Sequence, residues 1–432
     1  MSILIKDAAI ISQNQKRKIL QGDIYIEEDT IQEIAPHITV EAEYHLSGTH
    51  KMVLPGLINT HTHVPMTLMR GYGDDMALEE WLSERIWPIE AKLTPRLLRA
   101  GAHLAFVEMI ATGTTCFADM YFFEGILSRA AQEAGLRGYM GFSLIDFDTP
   151  EMPQDRLVPE CEKFVKKWRH DPLIHPVVAP HSTYSCSPET LEKASELAKK
   201  YQVLLHTHCS ETRTEVYDVK KRYGARPIAH LKKHGLLQEN ILLAHCGWIT
   251  KGEVIEIAQA GAKVSHNPIS NMKLATGGFT PLPELLENHA TVGLGTDGAA
   301  SNNSLDMFEV MKFTALLHKH HRWDPRILPA PCVLDLATRG GASCLGLDAG
   351  SLEVGKKADI ILMDLDRPNL VPRHDLVSLL VYSAKGSDVS TTIVNGQPLM
   401  LEKKLVTLDY HTVLEEAERA AQELVGLQDH TG

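Results

Sequence analysis

The sequence lacks the features by which disulfide-bonded, nucleic-acid-binding and membrane-spanning proteins are usually recognised. Its seven cysteines are scattered, odd in number and contain no Cys-x-x-Cys pair, which argues against a disulfide framework and a thiolate zinc ribbon. Its formal charge of −12 comes without any block of Lys or Arg, so a nucleic-acid partner is not expected. No apolar run is long enough to span a membrane, so no membrane partner is expected either.

What remains is the composition of an ordinary globular protein, with 432 residues of which 44% are hydrophobic and 23% are charged. This length allows either one large barrel with an appendage or two ordinary domains. The N-terminus has no basic leader followed by a long apolar run, which predicts a cytoplasmic protein. The negative charge favours a small neutral or cationic substrate. The sequence does not decide between a monomer and a homo-oligomer.

Short β-rich runs alternate with longer helical stretches between about residues 54 and 297, the pattern of parallel βα units. The predicted strands are residues 54–63, 114–120, 137–145, 174–182, 202–211, 241–247, 262–268 and 291–297. The helical stretches include residues 96–112, 124–135, 188–201 and 251–260. Eight strands with crossover helices predict a closed (β/α)8 barrel of the TIM type, whose chemistry lies at the C-terminal ends of the strands.

Both ends of the chain show a different pattern of short alternating segments broken by Gly and Asn, as in hairpins. These segments are residues 3–12, 23–27, 358–364 and 391–394. They predict one small composite β-sandwich, built from residues 1–55 and 350–408, beside a barrel of residues 56–349. Within the remaining 409–432, residues 411–427 predict an amphipathic helix.

The first barrel strand ends in the sequence PGLINTHTH, residues 55–63. Because side chains alternate along a strand, His61 and His63 share one face. Two neutral imidazoles aimed at one point form half of a metal site, which needs three or four protein ligands and an open position for water. Histidine pairs also occur as ordinary hydrogen-bonded residues, so the other ligands must come from elsewhere.

Most of the other predicted barrel strands also end in a polar residue. The strand-end residues are His61, His63, His181, His206, His208, His245, His266 and Asp297. A single buried histidine is more often a hydrogen-bonded core residue than a ligand. All of these side chains are nevertheless expected to converge on one barrel mouth, which predicts a metal centre there.

The strand-end motifs resemble those of the amidohydrolase superfamily over essentially the whole chain. The general barrel motifs are residues 55–63, 208–211 (HCSE), 244–246 (AHC) and 295–298 (GTDG). The closest resemblance is to its 5'-methylthioadenosine/S-adenosylhomocysteine deaminase branch, through residues 87–93 (WPIEAKL), 179–184 (APHSTY) and 265–274 (SHNPISNMKL).

The resemblance implies one divalent ion per subunit, zinc in the first place, with Fe²⁺ or another divalent ion as the alternative. Its implied ligands are His61, His63, His208 and Asp297. Strand alternation puts His206 on the same face as His208, and His208 is preferred because it precedes Glu211 by three residues, as in this family. Whether His206 has a role at the site stays open, and His266 is assigned to the wall.

The resemblance also implies the catalytic roles. Glu211 would pass a proton from the attacking water to the purine ring, and His245 would hydrogen-bond the hydroxide or the developing oxyanion. Asp297 would ligate the ion and accept a hydrogen bond from the hydroxide. The alternatives are an acid near a helix start for Glu211 and a core histidine for His245.

Substrate recognition is implied for Glu90, whose two oxygens suit the two ribose hydroxyls, and for His181, placed near the ribose. Glu211 and Asp297 would also contact the substrate. Apolar residues that could line a slot for a thioether, or equally belong to the core, are Met66, Met69, Trp81 and Trp87.

One segment departs from the family pattern. Some members have arginines after strand three that bind the carboxylate of S-adenosylhomocysteine, whereas residues 141–148 (GFSLIDFD) contain none and Arg137 lies too early in the strand. Methylthioadenosine and adenosine are therefore expected to be better substrates than S-adenosylhomocysteine.

The expected activity is hydrolytic deamination of such nucleosides to the inosine derivative and ammonia. One alternative is a related hydrolase acting on guanine, cytosine or a triazine, and another is a non-catalytic barrel scaffold. Glu90 together with Glu211 favours a nucleoside, because a free base or a triazine has no ribose diol. The complete set of candidate ligands argues against a scaffold.

Overall fold

The computed structural model describes residues 1–426, which form a β/α barrel and a mixed β-sheet beside it. The strands are β1 Ser2–Ile11, β2 Ile19–Glu27, β3 Thr30–Ala35, β4 Tyr44–Ser47, β5 Lys51–Pro55, β6 Leu57–Thr62, β7 Thr114–Tyr121, β8 Arg137–Leu144, β9 Ile174–Pro180, β10 Leu205–Cys209, β11 Ile241–His245, β12 Lys263–His266, β13 Thr291–Leu294, β14 Ile360–Asp364, β15 Val389–Val394, β16 Gln397–Leu401 and β17 Lys404–Leu405.

The helices are α1 Leu78–Trp81, α2 Trp87–Glu90, α3 Pro95–Ala111, α4 Glu124–Ala134, α5 Gln154–Trp168, α6 Pro188–Tyr201, α7 Arg213–Tyr223, α8 Pro227–Lys233, α9 Lys251–Gln259, α10 Pro268–Lys273, α11 Leu282–Glu287, α12 Ala299–Asn302, α13 Met307–Arg322, α14 Ala330–Asp335, α15 Gly341–Leu345, α16 Leu376–Tyr382 and α17 Tyr410–Val425. Short 3-10 turns cover Val64–Met69, Pro368–Leu370 and Gly386–Asp388, and single π turns cover Leu82–Ile86 and Leu336–Gly340.

Strands β6 to β13 run parallel and close into a barrel in chain order, with β13 paired to β6. The predicted (β/α)8 barrel is confirmed, and each predicted run overlaps one of its strands. The first run, residues 54–63, is divided at Gly56, because the residues before it belong to β5 of the second sheet. A Cβ atom at Gly56 would lie 2.0 Å from Thr115 Oγ1, so the crossing between the two sheets needs a glycine.

The predicted crossover helices agree with α3, α4, α6 and α9 within one residue at each end. Their starts are encoded locally: the Ser187 side chain caps α6, and Thr250 with Glu253 forms a capping box at α9. The predicted C-terminal helix is α17, and the last residue of that prediction, Leu427, lies outside the described residues. None of the helices in residues 1–426 is both long enough and apolar enough to cross a bilayer.

The second sheet takes strands from both ends of the chain, in the order β17-β16-β15-β14-β5-β1-β2-β3, with β4 beside β1. The two chain ends meet where β5 pairs with β14, for example at Val53 and Leu362. Those two residues face the sheet's own apolar core, whereas the alternate residue Leu54 packs with the barrel core. An isolated bridge also pairs Thr30 with Lys357, and the composite β-domain predicted from the two ends is confirmed as a mixed sheet built from both.

Candidate active site

Four predicted side chains meet at the C-terminal mouth of the barrel. Asp297 Oδ1 lies 3.4 Å from His61 Nε2 and 3.2 Å from His63 Nε2. His208 Nε2 lies 3.3 Å from His63 Nε2. The side chain of His245 lies close by, since its ring is 5.5 Å from that of His208, centroid to centroid. The ligand atoms of His61, His63 and Asp297 all lie within 4.8 Å of one another, close enough to share one cation.

The hydrogen bonds of the imidazoles leave their Nε2 atoms free to bind that cation. The Nδ1–H groups of His63 and His208 point at the carbonyl oxygens of Met120 and His181, at 2.7 and 2.8 Å. His61 Nε2 is buried and has no hydrogen-bond partner among residues 1–426. Three such nitrogens and one carboxylate oxygen suit Zn²⁺, and an acceptor on the other ring nitrogen is the usual partner of a metal-bound histidine.

The electrostatics of the four side chains also suit a cation. Burial lowers the pKa of His61 to about 4 and keeps the pKa of His208 well below its usual value, so both rings are neutral. Burial opposes ionisation of Asp297, yet the adjacent imidazoles of His61 and His63 hold its pKa well below the usual range. Against the effect of burial, Asp297 raises the pKa of His63 to about 9, and a cation bound there would replace the proton that Asp297 attracts to His63.

Asp297 is held in one orientation by its neighbours. Its φ of +63° lies in the left-handed region, which few non-glycine residues adopt. Ser270 Oγ donates to Oδ2 at 2.6 Å, and the Gly298 N–H donates to Oδ1 at 2.8 Å. Ser270 lies within the SHNPISNMKL motif, but nothing in that motif singled it out as a partner of Asp297.

Glu211 and His245 form a second pair beside the four converging side chains. Glu211 Oε2 lies 3.8 Å from His245 Nε2, and burial raises the pKa of Glu211. The Glu211 N–H donates to Glu215 Oε2 at 2.7 Å, which fixes the segment that follows β10. His245 Nδ1 lies 3.3 Å from the Asn271 side-chain oxygen. A largely buried carboxylate with a raised pKa beside an imidazole is suited to take up and release a proton during a reaction.

Of the predicted substrate-binding residues, His181 lies beside His208, and Glu90 lies beside Tyr121, a neighbour of His63. Glu90 ends α2, its carboxylate is buried, and it accepts a 2.6 Å hydrogen bond from the Tyr121 hydroxyl. The His181 ring is 4.8 Å from that of His208, centroid to centroid, and its Nδ1 lies 2.8 Å from Ser185 Oγ. Burial lowers the pKa of His181 to about 3, so its ring is neutral.

The four apolar residues considered for the thioether slot have different positions. Met69 is fully buried in the core, and Trp81 is almost so. A Cβ atom at Gly298 would lie 2.7 Å from Met66 Sδ, so this methionine packs directly behind Asp297. Trp87 is 52% exposed, one helical turn before Glu90. Of the four, Met66 and Trp87 are the two placed beside predicted site residues.

His206 points into the barrel beneath His61, with its Nε2 3.0 Å from His61 Nδ1. His206 therefore contacts His61, a candidate ligand. The sequence favoured His208 as the ligand from β10 and left the role of His206 open.

The expectation that His266 converges on the mouth is wrong. Ser265 takes the inward position of β12, where its hydroxyl lies 2.6 Å from Thr60 Oγ1, so strand alternation turns His266 outward. There its Nε2 lies 3.1 Å from His318 Nε2 in α13. Unlike in His63 and His208, the Nδ1 atoms of this pair have no partner among residues 1–426, so the pair lacks the supporting acceptors of a metal site.

Comparison with known proteins agrees with this geometry. The sequence profile of the Amidohydrolase family matches residues 52–399. A 5'-deoxyadenosine deaminase from Methanosphaera stadtmanae is 43% identical over 98% of this chain and 99% of its own. A 5-methylthioadenosine/S-adenosylhomocysteine deaminase from Thermococcus onnurineus is 42% identical over 94% of this chain and 95% of its own. The crystal structure of an adenosine deaminase from Xanthomonas campestris with bound zinc superposes with a TM-score of 0.96 at 33% identity, covering 98% of each chain. The chain therefore belongs to the amidohydrolase family.

Proposed function

We propose that the protein is a metal-dependent hydrolase that deaminates adenosine nucleosides altered at the 5' position. One water is consumed, the exocyclic amine leaves as ammonia, and the product is the matching inosine derivative. The observation that carries the proposal is the meeting of His61, His63, His208 and Asp297 beside a buried Glu211. The names of the relatives support the nucleoside class, because both describe deaminases of 5'-modified adenosines. The seven free cysteines are in keeping with the cytoplasm, where thiols stay reduced.

The metal would be held by the Nε2 atoms of His61, His63 and His208 and by Asp297 Oδ1. When bound, a zinc ion supplies an activated water by lowering the pKa of that water to about 7. The zinc in the Xanthomonas campestris structure supports zinc over Fe²⁺. His61 Nε2, which is buried without a partner among the described residues, is the atom that most needs such a ligand.

The chain's own residues then move the protons. Glu211 takes a proton from the attacking water and delivers it to the ring nitrogen beside the amino-bearing carbon, which makes that carbon electrophilic. The raised pKa of Glu211 brings its proton affinity closer to those of the water and the ring nitrogen between which it moves the proton. His245, 3.8 Å from Glu211, hydrogen-bonds the oxygen that adds to the ring. A second transfer through Glu211 moves the proton on the added oxygen to the amine. The C–N bond then breaks as the C=O bond of the inosine product forms, and ammonia leaves.

The 5' substituent is proposed to be uncharged. The segment that follows β8 carries Asp146, Asp148 and Glu151 and no cation before Arg156. Arg137 is unavailable for a substrate carboxylate, because its guanidinium is buried against both oxygens of Asp359. Methylthioadenosine, 5'-deoxyadenosine and adenosine are therefore proposed as better substrates than S-adenosylhomocysteine, whose carboxylate would meet an acidic segment.

A substrate panel tests the proposal. Ammonia release and the absorbance change of the purine are followed for the four adenosine compounds, with guanine, cytosine and a triazine as controls and with metal content measured in parallel. We expect turnover of the nucleosides alone, with the lowest kcat/KM on S-adenosylhomocysteine. Turnover confined to a free base or a triazine would contradict the proposed substrate class.

A further inference from the structure

The carboxylate proposed to recognise the ribose depends on a residue from another part of the barrel. Glu90 lies on the short helix α2, within the irregular excursion between β6 and α3, and is only 8% exposed. Burial raises the pKa of Glu90, because removing a carboxylate from water disfavours its charged form. Something must therefore keep this group ionised and directed at the substrate.

Tyr121 provides the only hydrogen bond that the Glu90 carboxylate accepts from the described residues. The Tyr121 hydroxyl donates to Glu90 Oε1 at 2.6 Å, and Tyr121 itself is only 5% exposed. A hydrogen bond to the charged form opposes the effect of burial. Glu90 Oε2 is left for other donors, and a carboxylate with about four acceptor positions can still receive two hydroxyls after Tyr121 has taken one.

Tyr121 is well placed to hold Glu90, because it belongs to a rigid element. It is the last residue of β7, and its backbone N–H donates to Glu124 Oε1 at 3.0 Å. Its ring is 6.2 Å from that of His63, centroid to centroid, so it lies between a candidate metal ligand and the diol carboxylate. Tyr121 would thus help to fix where the ribose lies relative to the reacting carbon.

We propose that Tyr121 is a positioning residue for ribose recognition: its hydroxyl holds Glu90 in the orientation that accepts the 2'- and 3'-hydroxyls of the nucleoside. The proposal rests on the proposed function, since it assigns the substrate-binding step of that reaction. Tyr121 touches Glu90 and not the reacting atoms, so its loss weakens binding of the diol while the chemical step is kept.

The test compares adenosine with 2',3'-dideoxyadenosine, which lacks the diol, as substrates of the metal-loaded enzyme and its Tyr121→Phe variant. Losing a hydrogen bond to a charged group raises KM for adenosine by about 10- to 100-fold. We expect kcat for adenosine to change little and KM for dideoxyadenosine to stay the same. Tyr139→Phe, which removes the hydroxyl of another buried strand tyrosine, is the matched control and should leave both KM values unchanged.

A double-mutant cycle with Glu90→Gln decides whether Tyr121 acts through Glu90. The double variant should lose no more diol preference than Glu90→Gln alone. Three results would overturn the role of Tyr121 while leaving deamination intact. The first is an equal increase of KM for both nucleosides in the Tyr121 variant, and the second is an unchanged KM for adenosine. The third is a wild-type enzyme with the same KM for both nucleosides. If the wild-type enzyme releases ammonia from neither nucleoside, the proposed function itself fails, and this assignment fails with it.

Discussion

The imidazole of His206 lies behind that of His61, with His206 Nε2 3.0 Å from His61 Nδ1 and the rings nearly perpendicular. If His61 Nε2 is to bind a cation, the single proton of that ring must sit on Nδ1, where His206 Nε2 accepts it. His63 and His208 use backbone carbonyls for the same purpose. His206 therefore selects the tautomer of His61 that can bind metal.

Replacing His206 by phenylalanine should weaken zinc binding by roughly 10- to 100-fold, the range found for supporting partners of metal ligands. Competition with a chromogenic chelator measures this affinity without reference to activity. His266→Phe is the matched control, since it breaks a similar contact between two buried imidazoles on the outside of the barrel. Equal zinc affinity of the wild type and the His206 variant would show that His61 needs no acceptor there.

Glu211→Gln should retain bound metal and lose activity by about 100- to 10,000-fold, because an amide of the same shape cannot accept and return a proton. Metal content by elemental analysis and kcat on adenosine give the two readings. Glu253→Gln serves as control, since Glu253 is also buried but its carboxylate is used in the capping box of α9 and in a pair with Arg226. An active Glu211 variant would remove the proton shuttle from the mechanism.

The pH dependence of kcat/KM should report the raised pKa of Glu211. Burial raises this pKa above the ordinary value of 4.5, and the residue must be ionised to accept the first proton. Activity should therefore fall as the pH drops through the raised pKa, with a midpoint above 4.5. Kinetics on adenosine across the acid range test this, with tryptophan fluorescence as the check that the fold persists. Full activity down to about pH 4 would contradict the assignment.

The barrel and most of its mouth could be predicted because both are encoded in local patterns. The periodicity of strands and helices predicts eight βα units, and the polar residues at the strand ends predict His61, His63 and Asp297 as site residues. The orientation of His266 could not be read in the same way, because a shift of one residue in a strand reverses which side chains face inward. The contacts of Tyr121 with Glu90 and of Ser270 with Asp297 join segments 31 and 27 residues apart, and no periodicity within one segment reports them.

Arg137 has a structural role that neither the sequence motifs nor the strand and helix periodicity indicated. It begins β8, at the opposite end of the barrel from the mouth, and is 1% exposed. Its guanidinium donates to both oxygens of Asp359, at 3.0 and 3.1 Å, and to the side chain of Asn395. Asp359 directly precedes β14 and Asn395 directly follows β15, so a buried ion pair joins the barrel to the composite sheet.

Arg137→Met should lower the free energy of unfolding by about 3–5 kcal/mol, because Asp359 would be left as an uncompensated buried charge. Denaturant unfolding followed by circular dichroism measures the change. Arg99→Met is the matched control: its partner Glu133 and Arg99 itself are both about half exposed, and such pairs contribute only about 0–1 kcal/mol. The folded fraction of the Arg137 variant should keep its KM and kcat, since the substitution is remote from the mouth. A stability loss no larger than that of the control would mean that apolar packing alone joins the sheet to the barrel.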